Sequence, residues 1–114
     1  MGKHFDKRLC LWVSIGRPEG TMWLGTTNDD KKSIDRTDCV KVSIILPDVG
    51  RVVANLRHYS KHSTLSDPKI NDWIYRKGLS RTKGSPKPSL PFGLKIKNGE
   101  HIFEYIGVDL PDRL

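Results

Sequence analysis

Cysteine is almost missing from this sequence: Cys10 and Cys39 are its only two. Two thiols cannot build a disulfide scaffold, and the charged start Met1 to Arg8 has no apolar run of signal-peptide length. Both cysteines are therefore expected to be reduced, in a cytoplasmic protein. No apolar stretch approaches the ~20 residues that span a bilayer, so no membrane partner is expected. Asp6 stands where an N-myristoylation signal needs Ser or Thr.

The residue patterns of catalysis are missing too. There is no Gly-rich phosphate loop and no nucleophile elbow. His58 and His62 have a spacing that places two imidazoles on one helix face, but no Glu lies between them and no third ligand accompanies them. Asp29, Asp30, Asp35 and Asp38 lie in a polar run without the central Gly and closing Glu of a calcium loop. Tyr105-Ile106-Gly107 spells part of a nuclease signature, but the upstream tripeptide and the downstream Arg and Glu are missing. The expectation is a protein that is not an enzyme and has no cofactor and no metal.

Acid is scarce in one region only. Residues 51–97 hold 11 basic and 2 acidic side chains, a net of +9, whereas residues 1–50 are nearly neutral. The whole chain of 114 residues carries +7. A concentrated basic segment attracts polyanions. At this length the chain reads as one domain, residues 1–114, able to bury a core without metals or disulfides.

The clearest local signal is Phe92 to Val108. Asn98-Gly99 between two alternating runs predicts a two-residue type I′ turn, with Lys97 facing Glu100 and Phe92 facing Tyr105. Phe92, Leu94, Ile96, His101, Phe103 and Tyr105 then share the face to be buried. Leu9, Leu11, Val13 and Ile15 alternate in a first strand. Thr21 to Thr26 returns from the Gly16–Gly20 turn as a second, so Trp12 and Trp23 share one hairpin. Cys39 to Leu46 gives a third strand.

Two helices are predicted next. Asp48 reads as an N-cap, followed by Val49, Val52, Val53 and Leu56 at helical spacing. Asp67-Pro68 starts the second, with Ile70, Trp73 and Ile74 on its apolar face and Gly78 as terminator. Lys61 to Ser66 reads as a polar connection. Leu79 to Pro91, rich in proline, reads as a mobile basic loop without regular structure. The predicted fold is α+β in the order β-β-β-α-α-β-β: an antiparallel or mixed sheet of about five strands with two short helices on one face. Strand, helix, helix and hairpin resembles part of the order of a winged-helix domain, although the connection between the helices is longer.

The basic side chains expected to bind nucleic acid are Arg57, His58, Lys61, Arg76, Lys77, Arg81, Lys83, Lys87, Lys95 and Lys97. Lys and Arg neutralise phosphates and release counterions, which gives binding without sequence preference. Trp12 and Trp23 fit either a stacking platform for bases or ordinary packing. The expected partner is DNA, RNA or a ribonucleoprotein. The alternative is a protein inhibitor or adaptor, of the kind small phage and mobile-element proteins provide, seated in an acidic groove of a host enzyme or complex.

The cysteine reading has a direct check. Alkylation of the denatured, unreduced protein should add two groups per chain in the mass spectrum. A chain that takes up none is bridged.

Overall fold

The computed structural model describes residues 5–18, 20–26, 41–58 and 62–113. Its first strand follows the sequence alternation. In β1, Lys7–Ile15, the side chains of Leu9, Leu11 and Val13 are buried and those of Arg8 and Cys10 are exposed. β2, Met22–Thr26, pairs with it antiparallel, with Ser14 opposite Trp23 and Trp12 opposite Gly25.

β3, Lys41–Leu46, runs into a tight turn and returns as β4, Gly50–His58. β5, Ser63–Ser66, pairs with both β4 and β2. A single helix among the described residues, α1, Pro68–Arg76, precedes the closing hairpin of β6, Ser89–Lys97, and β7, Glu100–Tyr105. Around the wall the order is β1-β2-β5-β4-β3-β7-β6, and β6 pairs with β1 to close the barrel. The β3–β7 pair is parallel and the other six pairs are antiparallel.

The closing hairpin has the predicted register. Lys97 faces Glu100, Leu94 faces Phe103 and Phe92 faces Tyr105. Asn98 and Gly99 both take positive φ, 51° and 77°, as a type I′ turn requires. Phe92, Leu94, His101 and Phe103 point into the barrel and are buried. Ile96, near the rim, is 48% exposed.

Helix α1 starts and stops where the sequence says. The Asp67 carboxylate accepts the Lys69 N–H at 2.9 Å, Pro68 opens the first turn, and Gly78 follows with φ of 70°. Ile70, Trp73 and Ile74 are fully buried. The indole of Trp73 meets Tyr105 edge-on at 5.7 Å between ring centroids, and Tyr105 meets Phe92 at 5.6 Å. These three rings tie the helix to the barrel.

The α+β expectation is overturned: the fold is a closed seven-stranded barrel, and among the described residues it has one helix. The winged-helix order goes with it. Residues 50–58 are strand β4, not helix, because their valines fit two periods. Val49, Val52, Val53 and Leu56 make a helical stripe, but Val52, Ala54 and Leu56 also alternate. The alternation wins: Val52 and Ala54 are buried while Val53 is 57% exposed. β-branched residues favour the extended chain. Asp48 is no helix cap; it takes φ of 66° in the turn after Pro47, where the Val49 N–H donates to the Leu46 carbonyl at 3.3 Å. Proline followed by a positive φ is the type II pattern.

Two further readings change for the same tertiary reason. The connection read over Lys61 to Ser66 contains β5, whose Ser63 N–H donates to the Thr26 hydroxyl at 3.1 Å. Polar residues hide a strand when a neighbour satisfies them. The loop read over Leu79 to Pro91 ends early, because Ser89, Leu90 and Pro91 pair with Trp12, Leu11 and Cys10. Pro91 cannot donate to the ladder, but its carbonyl accepts the Ile106 N–H at 3.1 Å. Cys10 is a free, exposed thiol on β1, and Cys39 lies outside the described residues.

Two substitutions separate the inner wall from the outer. Phe103→Asp strands a carboxylate in the barrel and should cost about 4 kcal/mol or more in denaturant unfolding. Val53→Thr, which would disturb a buried helix stripe, should change stability by less than about 0.5 kcal/mol on this exposed strand face.

Candidate nucleic-acid interface

The barrel splits the basic segment into three places. The first is the outer wall of β4, β5, β2 and β1. Arg57 is opposite Thr64, Thr64 opposite Gly25, and Gly25 opposite Trp12, so these four form one row across the wall. At about 4.8 Å per strand, the backbones of Arg57 and Trp12 stand roughly 14 Å apart. Small residues, Thr64 and Gly25, fill the middle of the row, with a cation at one end and an indole at the other. Ser14 and Trp23 make the adjacent row.

Both tryptophans lie against glycines. A methyl group at Gly25 would come 2.7 Å from Trp12 Nε1, and one at Gly16 would overlap the Trp23 indole. Only glycine leaves room for rings seated this close to the backbone. Lys87 Nζ lies over the Trp12 ring at 4.7 Å from its centroid, a cation–π contact. The His62 ring stands 6.1 Å from Trp12, tilted by 45°.

The turn after β1 gathers the surface. The Gly16 N–H donates to the Thr21 carbonyl at 2.7 Å, and the Tyr75 hydroxyl donates to the Gly20 carbonyl, which fastens the turn to α1. Arg17 is exposed at its tip. Two depressions adjoin along Ile15, Gly16 and Arg17. One, of about 510 Å³, is bordered by Arg57, His62 and Trp23. The other, of about 590 Å³, has Met22 and Tyr75 in its floor and Arg81 and Lys83 on its rim. Neither is lined by a carboxylate among the described residues. Arg81 also braces its own loop, donating to the Ser85 carbonyl at 2.8 Å.

The second place is the end of α1, where Arg76 and Lys77 are held by acids. Lys77 Nζ is buried and donates to Asp48 at 2.8 Å, Asp112 at 2.7 Å and the Leu110 carbonyl at 2.7 Å. Arg76 pairs with Asp72 at 3.4 Å and Asp112 at 3.5 Å. The Arg113 N–H caps the Arg76 carbonyl at 2.6 Å. This cluster fastens the C-terminal segment to the helix, so Lys77 presents no charge to a partner.

The third place is the far end of β6. Lys95 and Lys97 are exposed there beside Arg51, which pairs with Glu100 at 2.5 Å. Eight strand steps separate Lys97 from Ser89, roughly 26 Å, so these lysines do not join the Trp12 wall. His58 is the last residue of β4, opposite Ser63, so His58 and His62 do not share a helix face. Lys61 lies outside the described residues. Nothing in the sequence singles out Arg17, because residues 1–50 are nearly neutral; the legible signal is the hairpin alternation that puts Trp12, Ser14 and Trp23 on one outward face.

The Lys77 cluster has a pH signature. Hydrogen bonds to the carboxylates of Asp112 and Asp48 raise the Lys77 pKa above its ordinary 10.5, and the bond from Lys77 holds Asp112 below the ordinary 3.8. The Asp112 contribution is complete above the unfolded aspartate value and is lost as pH falls through the lowered folded one. The Lys77 contribution is complete below 10.5 and is lost as pH rises through the raised value. Asp112→Asn should therefore lower the thermal midpoint at neutral pH, with the gap from wild type closing toward the acid end.

No protein-family model matches the sequence, and comparison with curated proteins and with solved structures returned no match, so its functional reading rests on the side chains just described.

Proposed function

We propose that the protein is a non-enzymatic nucleic-acid-binding barrel, working by equilibrium binding to the outer wall of β1, β2, β5 and β4. The observation that carries this is the meeting of two depressions, neither lined by a described carboxylate, at Arg17, with Arg57, Arg81 and Lys83 around them and Lys87 over Trp12 on the same wall. Such an arc matches a phosphate backbone: several cations at short intervals, each on an exposed or half-exposed side chain. Attraction comes chiefly from counterion release and carries little sequence preference. Trp12 and Trp23 give the same surface apolar area that a plain electrostatic patch lacks. Arg76 and Lys77 are left out, because carboxylates already neutralise them.

The test is a salt titration of oligonucleotide affinity. Replacing Arg57, Lys83 and Lys87 together by Ala should make the slope of log K against log salt shallower by about 2–3, since each phosphate no longer neutralised removes about 0.7–0.9. Arg81 is spared because it braces its loop. Changing Lys95 and Lys97 to Ala should leave the slope nearly unchanged. A wild type that binds no oligonucleotide at low salt refutes the proposal and leaves capture of an acidic protein as the reading to pursue.

A further inference from the structure

Trp12 and Trp23 are unlike the third tryptophan. Trp73 is fully buried and fills the core. Trp12 and Trp23 are half-exposed on the outer wall, diagonal to each other across the β1–β2 ladder. Each has glycine backbone beneath it, which lets the indole lie down on the wall. Each ring is half-exposed, so part of it is open to a ligand. The Trp12 ring has the flexible ammonium of Lys87 over it and the tilted ring of His62 beside it.

We infer that the nucleic acid taken by this surface is single-stranded, with bases stacked on Trp12 and Trp23 and the backbone running past Arg17, Arg57 and Lys87. This rests on the nucleic-acid reading above and narrows it. Only an unpaired strand offers base faces to a protein; in a duplex each face is covered by the next base pair. Diagonal positions on a sheet lie about 7 Å apart, roughly twice the 3.4 Å rise of a stacked strand. The two rings therefore hold bases splayed side by side, which a drawn-out single strand can supply. In the free protein Lys87 covers Trp12. A base arriving there displaces the ammonium onto the neighbouring phosphate, so one side chain trades a cation–π contact for an ion pair.

The experiment compares oligothymidylate and oligouridylate with a duplex of the same length, for wild type, Trp12→Leu and Trp23→Leu. Leucine keeps apolar cover over Gly25 and Gly16 but removes the stacking face. The expected result is tighter binding of the single strands than of the duplex. Each Leu variant should lose roughly tenfold in single-strand affinity, with duplex affinity unchanged. Indole emission of the wild type should be quenched on binding, a readout that does not depend on any variant folding. Duplex binding as tight as single-strand binding, or single-strand binding without quenching, overturns the inference while the basic-surface reading stands. No binding of any oligonucleotide overturns both.

Discussion

The parallel pairing of β3 with β7 is the constraint on which the rest of the fold depends. The other neighbours around the wall meet through antiparallel ladders, four of them between strands consecutive in the chain. β3 and β7 meet only after the chain has made β4, β5, α1 and β6 between them. A parallel pair cannot be closed by a hairpin and needs such a crossover. It sets Ile44 beside Phe103, both fully buried, and removes two open sheet edges. Opening this seam would expose the inner rows of β3 and β7 together.

Closure also decides which side chains a ligand can reach. Inside the barrel, Leu11, Val13, Leu24, Leu65 and Phe92 fill the space, and α1 brings Trp73 against Tyr105. A small barrel filled by its own side chains leaves binding to the outer wall. The pleat then turns Trp12, Ser14 and Trp23 outward on strands whose inner residues are committed to the core. Gly16 and Gly25 serve the wall rather than the turns: their missing side chains are the seats of the two indoles.

Charge along the chain and charge on the surface are different quantities here. The basic segment 51–97 reads as one patch when summed. In space, Arg76 and Lys77 meet Asp72 from within that segment and Asp48 and Asp112 from outside it. Lys95 and Lys97 stand at the opposite end of β6 from Lys87. Arg17 enters from a nearly neutral stretch and sits where both depressions meet. Desolvated, hydrogen-bonded ion pairs such as those of Lys77 hold structure in place, and counterion release belongs to cations exposed at the surface.

Elements with a local cause were legible in the chain alone. Asn98-Gly99 set the closing hairpin and its register, because positive φ at two successive residues admits little else. Asp67, Pro68 and Gly78 set the ends of α1, and the alternation of Leu9, Leu11 and Val13 set β1. Segments with two local solutions were settled by their neighbours in space. Val49 to Leu56 satisfies both periods, and only the chance to pair with β3 and β5 made it strand. Ser63 to Ser66 became a strand because β2 and β4 flank it, which no composition rule shows. The same holds for the site: two tryptophans on one hairpin were legible, but the glycine seats, the lysine above Trp12 and the gathering of arginines at the β1–β2 turn arise from contacts between residues far apart in the chain.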